Sequence, residues 1–218
     1  MVDVPTLLPD RAAGGDVLAQ ELRAYADRDD VIVLGLPRGG VPVAARVAAA
    51  LHAALDVVVV RKVGLPGRPE LAMGAVAGLG GTIEIVRNED VLERAHVDDA
   101  GFVRAVRREI DELRRREQLL RGSRPAPTLR DHVVIVVDDG LATGATMRAA
   151  LTAVTRQHPA RTIAAVPVGA AETCQALRTH AAEVVCPWTP PDFSAVGQYY
   201  RDFSATSEDE VRSLLARP

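Results

Sequence analysis

Two adjacent carboxylates, Asp138 and Asp139, end an apolar run and open a loop of small residues in VVIVVDDGLATGATM, from Val133 to Met147. The run Val133-Val134-Ile135-Val136-Val137 does not alternate, the mark of a strand buried on both faces. At the carboxyl end of a parallel strand, the two acids point into the crevice where open α/β sheets bind ligands. The stretch Gly140-Leu141-Ala142-Thr143-Gly144-Ala145-Thr146 is mostly small, so its backbone N–H groups can close around an anion. The opening turn of the following helix adds its positive end, and Thr143 and Thr146 add hydroxyl donors. An anion cup beside two acids that can hold a diol or a hydrated cation suits a phosphorylated sugar. A nucleotide hydrolase fits less well, since no GxxxxGK[ST] is present. A receiver-like phospho-acceptor pair lies nearer the N-terminus with no TGxT loop after it, and a simple acidic helix cap accounts for one aspartate more easily than two.

Two further features carry charge in suggestive places. Leu36-Pro37-Arg38-Gly39-Gly40 follows an earlier apolar run, and Lys62 is the one lysine among 26 basic residues. Around them, short β-branched runs alternate with Ala/Leu/Arg stretches of helical period, which predicts a mostly parallel sheet flanked by helices. The expected strands are Val31–Leu36, Asp56–Arg61, His132–Val137, Thr162–Val168 and Glu183–Cys186. The expected helices are Asp16–Arg28, Val41–Ala54, Asp98–Arg121, Thr146–Gln157, Ala171–Ala181 and Glu208–Ala216. Ala75–Leu79 and Thr82–Val86 flank Gly80-Gly81, a dipeptide suited to a tight hairpin.

The 218 residues, 48% apolar and 25% charged, suit one globular domain with an aliphatic core, aromatics being only 3%. No apolar run is long enough to span a bilayer, the N-terminal residues lack a signal-peptide pattern, and two cysteines form no disulfide framework; the expectation is a cytoplasmic protein. No Cys/His cluster has zinc spacing, so no direct metal ligand set is expected. A net charge of −3 gives no global attraction to nucleic acid. Helix 98–121 is locally different: Val103, Val106, Ile110, Leu113 and Leu120 form its apolar stripe, while Arg104, Arg107, Arg108, Arg114, Arg115, Arg116 and Arg121 interleave with Asp98, Asp99, Glu109, Asp111, Glu112 and Glu117. Mixed charge at this spacing predicts a solvated helix rather than a nucleic-acid surface. Trp188, Phe193, Tyr199, Tyr200 and Phe203 gather most of the aromatics in one segment, as a subdomain core, a contact in a homodimer, or a stacking surface for a base.

DDGLATGAT resembles the phosphoribosyl pyrophosphate signature of the type I phosphoribosyltransferases. The resemblance extends to Leu36–Gly40, placed as that family's pyrophosphate loop, and to Arg61-Lys62 with the following Leu65-Pro66-Gly67, which is similar to the adenine-type members. It covers roughly Val31 to Gln157. It implies an α/β fold with an open, mostly parallel sheet, a flexible hairpin and a small hood. The core would lie at about 31–170 of one domain, 1–218, with the hood built from 1–30 and 184–218. Asp138 and Asp139 would then bind the ribose hydroxyls and Gly140, Leu141, Ala142, Thr143, Gly144, Ala145 and Thr146 the 5′-phosphate. Arg38, Gly39 and Gly40, in a loop with a non-proline cis peptide, would hold the pyrophosphate, with Lys62 reaching it as a mobile charge and Mg²⁺ bound through the substrate, near Asp138 and Asp139. The implied activity is transfer of a 5-phosphoribosyl group from phosphoribosyl pyrophosphate to a nitrogen nucleophile such as a nucleobase. The alternative is a nucleotide sensor or an RNA- or DNA-binding regulator that retains the sugar site. Two departures bear on the acceptor: Ala142 stands where 6-oxopurine members carry an acid, and Ala77 where adenine members carry a glutamate.

Overall fold

The computed structural model describes residues 7–79 and 81–216; the expectations for 1–6, Gly80 and 217–218 lie outside them. Five strands form one parallel sheet: β1 (Val31–Gly35), β2 (Ala54–Val57), β6 (Val133–Val137), β7 (Arg161–Ala165) and β8 (Glu183–Val185), in the order β2-β1-β6-β7-β8. Both faces are covered. The side chains of Val31, Val33, Val133, Ile135 and Val137 pack on α2 (Gly40–Leu51) and on Leu18 of α1 (Arg11–Glu21). Those of Ile32, Leu34, Val134 and Val136 pack on Met147, Leu151 and Val154 of α5 (Ala145–Thr155) and on Leu177 of α6 (Ala171–Leu177). All five residues of β6 are buried, as a two-sided apolar run requires.

Three strands form a separate antiparallel sheet, β3 (Val59–Leu65), β4 (Arg68–Leu79) and β5 (Thr82–Arg87). A short helix α3 (Glu89–Arg94) leads from it to the long helix α4 (Asp99–Arg121), which covers the sheet through Phe102, Val106, Leu113 and Leu120 together with Val211 and Leu215 of α7 (Glu208–Leu215). β4 and β5 pair antiparallel from Leu79 opposite Thr82, and Gly81 between them has φ +83°.

Two expectations change. The run Asp56–Arg61 is not one strand: the chain leaves the parallel sheet after Val57 and enters the antiparallel one at Val59, with Val58 N–H donating to Gly35 O at 3.2 Å in between. Unbroken valine from Val57 to Val60 suits both sheets and hides the switch. Arg61 and Lys62 consequently lie inside β3, not at a strand end. The first helix starts at Arg11 rather than Asp16, because the Asp10 side chain accepts from Ala13 N–H as its cap. Gly15 serves a close crossing of α1 and α2, since a Cβ there would lie 2.7 Å from Val43 O.

The solvated reading of α4 fails at its last turn. Arg121 and Glu117 are buried, and Arg121 donates to Glu117 Oε1 at 2.5 Å, to Asp56 Oδ1 at 3.2 Å and to Val57 O at 3.2 Å. Arg115 and Arg116 pair with Glu112 on the exposed side, and Arg61 of β3 pairs with Glu109 at 2.7 Å. The buried cluster therefore joins α4 to the point where the chain changes sheets. Arg121→Met should leave Glu117 without its cation and Asp56 with only the more distant Arg124, 3.9 Å away, and cost roughly 3–5 kcal/mol, read as a lower urea midpoint at pH 7.

Candidate active site

The sheet order creates the crevice. From β1 the chain goes outward to β2 on one side, while β6, β7 and β8 follow on the other, so the direction of winding reverses between β1 and β6. The carboxyl ends of the strands at such a reversal open a ligand crevice. Here Leu36–Gly40 leaves β1 and Asp138–Thr146 leaves β6. Leu36 N–H donates to Val137 O at 2.9 Å, which holds the two loops in step one residue beyond the strands.

The loop after β6 has its carbonyls secured from behind. Thr173 Oγ1 donates to Ala142 O at 2.7 Å, Arg148 Nη1 to Thr143 O at 3.0 Å, and Leu141 exchanges backbone hydrogen bonds with Val168 and Ala170. Gly144 at φ +72° turns the chain into α5. The backbone N–H groups of Ala142 through Thr146 find no acceptor among the described residues, apart from what a ligand would offer. That is the donor set of an anion cup, and it opens at a helix N-terminus. The loop after β1 is similar on a smaller scale: its Pro37-Arg38 peptide is cis, Gly40 N–H is used by Leu36 O, and the N–H groups of Arg38 and Gly39 donate to nothing among the described residues.

The two loops touch through their smallest residue and the acids. A Cβ on Gly39 would lie 2.0 Å from Asp139 Oδ2, and one on Gly40 2.7 Å from Val137 O, so neither position admits a side chain. The structure thus brings Gly39, Gly40, Asp138 and Asp139 together. Arg38 is exposed at the rim. Lys62 lies apart from them on β3, exposed, with no hydrogen bond or ion pair among the described residues. It lines a cavity of about 600 Å³ with Ala145 and Arg148 of α5, Arg87, Asn88 and His180, next to the far end of the cup. Ala142 is exposed at the lip of the cup, and Ala77 is buried within β4 opposite Glu84.

Two contacts at Asp139, and a third that seats its arginine, carry no local sequence signal. Arg11 Nε donates to Asp139 Oδ2 at 2.8 Å, Arg11 Nη1 donates to Ser204 O at 2.7 Å, and Tyr200 Oη donates to Asp139 O at 2.6 Å. Tyr200 belongs to the aromatic segment, which folds into its own core around Leu8, Val17 and Val168. There Trp188 meets Tyr199 edge-on at 4.8 Å, and Phe193 and Phe203 stack on Tyr199 and Tyr200. Of the readings open for these aromatics, the structure realises the subdomain core.

The acids are in an environment that resists charge. Burial, reinforced by the neighbouring Asp139, holds the Asp138 carboxyl well above the ordinary carboxylate range. Burial also raises Asp139, opposed by the hydrogen bond and charge of Arg11. Burial and the nearby Asp139 push the Tyr200 hydroxyl up as well. Carboxyls whose ionisation is opposed in a crevice make this pair a candidate functional site.

A family model described as the phosphoribosyl transferase domain matches residues 7–204. The chain belongs to the phosphoribosyl transferase domain family. Two Mycobacterium tuberculosis proteins provisionally named phosphoribosyl transferases, from strains CDC 1551 and H37Rv, are each 46% identical over 212 residues, which is 97% of this chain and 47% of theirs. The chain therefore spans about half the length of these curated relatives. The crystal structure of TT1426 from Thermus thermophilus is 44% identical, with a TM-score of 0.83 over 96% of this chain and 97% of that one. The open parallel sheet flanked by helices is the fold class expected from the signature loop.

The raised Asp138 carboxyl has a direct consequence for stability. Between the ordinary carboxylate pKa near ~4 and its raised folded value, the folded chain binds more protons than the unfolded one, so this group costs stability as pH rises through that window. Asp138→Asn keeps an acceptor for Asp139 N–H, which now sits 2.9 Å from Asp138 Oδ1, and removes the charge. The variant should be more stable than wild type at pH 7–8 by roughly 0.5–2 kcal/mol, with the difference closing as pH falls toward ~4, read by thermal melts across pH.

Proposed function

We propose that the chain transfers a 5-phosphoribosyl group from phosphoribosyl pyrophosphate to a nitrogen nucleophile, a nucleobase being the favoured class of acceptor. The observation that carries this reading is the meeting of the acid pair, the free N–H cup and the glycine loop at one sheet reversal. Only a ligand with a diol between two anionic groups uses all three. Gly140 through Thr146 would take the 5′-phosphate, Asp138 and Asp139 the ribose hydroxyls, and Arg38, Gly39 and Gly40 the pyrophosphate.

In the transfer, the bond from C1 to the pyrophosphate oxygen breaks, a bond from C1 to the acceptor nitrogen forms, and that nitrogen loses its proton. Charge collects on the departing pyrophosphate while C1 becomes oxocarbenium-like. The backbone N–H groups of Arg38 and Gly39 would be fixed donors for that charge, joined by the exposed Arg38 guanidinium, and preorganised donors are usually the largest catalytic contribution. Lys62 would bring a compact ammonium to a substrate phosphate from the cavity beside Ala145. The hairpin strands between Arg61 and Val86 stand over that cavity, and their closing would exclude water from the cation at C1.

The family implies Mg²⁺. Among the described residues no cluster of three or more His, Cys, Asp or Glu side chains could hold a metal ion. The cation would come bound through the substrate, near Asp138 and Asp139, and would supply charge neutralisation for the leaving group. No helix among the described residues is long and apolar enough to cross a membrane; we take the protein to act in the cytoplasm on small-molecule substrates.

Three measurements test this reading. Asp138→Asn combined with Asp139→Asn should weaken phosphoribosyl pyrophosphate binding ~10- to 100-fold in calorimetric titration of the folded variant, from the loss of charge-assisted hydrogen bonds; unchanged affinity removes the acids from the sugar site. In an assay of pyrophosphate release across a panel of nucleobases, hypoxanthine and guanine should be poor acceptors, because Ala142 offers them no acid; turnover of either at ~1 s⁻¹ or more contradicts this. Lys62→Ala should change stability by only about 0.5 kcal/mol yet lower kcat/KM ~100-fold.

A further inference from the structure

The acid pair is gripped by the two ends of the described chain, and the grip is selective for one carboxylate. Arg11 is the first residue of α1, and its guanidinium sits 4.0 Å from the centroid of the Phe203 ring, with Nε on Asp139 Oδ2 and Nη1 on Ser204 O. Both members of the ion pair are mostly enclosed, with side chains 12% and 16% exposed. The same carboxylate oxygen lies over Gly39, and a Cβ there would also come within 3.2 Å of Arg11 Nε. Tyr200 holds the backbone carbonyl of Asp139 from the same side as Phe203. Arg11, Phe203, Ser204 and Tyr200 are joined by backbone pairing of Leu8 with Tyr199 and Arg201, and of Pro9 with Asp202. Asp138 has no such partner among the described residues: its Oδ1 accepts only from Asp139 N–H.

We infer that Arg11 is a positioning residue of the sugar site, a guanidinium anchor that fixes the Asp139 carboxylate for a vicinal diol, with the segment Tyr200–Ser204 as its mount. The inference rests on the proposed phosphoribosyl transfer only for the identity of the diol. Oδ2 is occupied by Arg11, which leaves Oδ1 of Asp139 and the free oxygen of Asp138 as the acceptors a diol would meet. Burial alone would drive both carboxyls toward the protonated form, which cannot accept two hydroxyl hydrogens at full strength. The guanidinium opposes this at Asp139. The other titratable groups packed around Asp139 are Asp138 on its own loop and Tyr200 on the C-terminal segment, with Asp10 acting on Tyr200 and Asp202 within the field of Arg11; Arg11 is the one cation in contact with Asp139 among the described residues.

The test compares wild type, Arg11→Gln and Arg11→Lys by calorimetric titration with phosphoribosyl pyrophosphate from about pH 5.5 to 8.5, alongside carboxyl ¹³C titration of Asp139 in the free protein. Arg11→Gln should bind ~10-fold or more weakly at pH 7, with the acid limb of the affinity profile and the Asp139 midpoint both moved up by about one pH unit or more; Arg11→Lys should restore the profile while leaving part of the affinity loss. A merely structural arginine would lower affinity equally at every pH and leave the Asp139 midpoint in place, and that result overturns the inference. So does tighter binding by Arg11→Gln, which would make Arg11 a plug competing with the diol. If wild type fails to bind phosphoribosyl pyrophosphate at all, the proposed donor is wrong, and the Asp139 midpoint in the free variants alone decides the role of Arg11: raised in Arg11→Gln supports it, unchanged refutes it.

Discussion

Two carboxylates side by side in an enclosed crevice repel each other and lose hydration, and the architecture around β6 is arranged about that conflict. Unpaired, each would be neutralised by a proton. The parallel sheet places them where its winding reverses, so that they face an opening rather than the interior. Asp139 is met by Arg11, while Asp138 is held only by the N–H of Asp139. The unused N–H groups of Ala142 through Thr146 add a positive field on the far side. The crevice is therefore an electrostatic arrangement with two acids on one side and unused N–H donors on the other. The free protein tolerates it because β1, β6 and β7 behind it are fully packed.

The same division explains what could be read from the chain. The strand Val133–Val137, the acids after it and the loop to Thr146 are contiguous, and each owes its geometry to its immediate neighbours. The cis peptide after β1, by contrast, was expected only from the family resemblance. The switch from β2 to β3 at Val58 escaped because β-branched residues favour either sheet and no turn residue marks the change. Arg121 looked like one more exposed arginine until Asp56, from 65 residues earlier, was packed against it. Arg11 is separated from Asp139 by 128 residues, and no spacing rule connects them. Local pattern captured the loops with free N–H groups; the parts that regulate charge come from tertiary packing.

The aromatic segment shows why composition alone gave several readings. Aromatic side chains serve equally as stacking surfaces and as core. Here Tyr199 packs between Trp188 and Phe193, and Tyr200 lies against Phe203, so their faces are spent on one another. What reaches the crevice is a single hydroxyl from Tyr200 and a ring under Arg11. Through those two contacts the cluster acts as a scaffold for Asp139.

The pairing of Leu8 with Tyr199 and Arg201 closes almost the whole chain into one loop. Contacts of such long sequence separation form late, since their closure entropy must be met before they return any stabilisation. The loop after β6, by contrast, draws its contacts from β6, α5 and the segment just after β7. A chain emerging from the ribosome would thus assemble that loop well before residues 200–204 exist to seat Arg11. The charge balance at Asp139 would be set later in folding than the loop it serves.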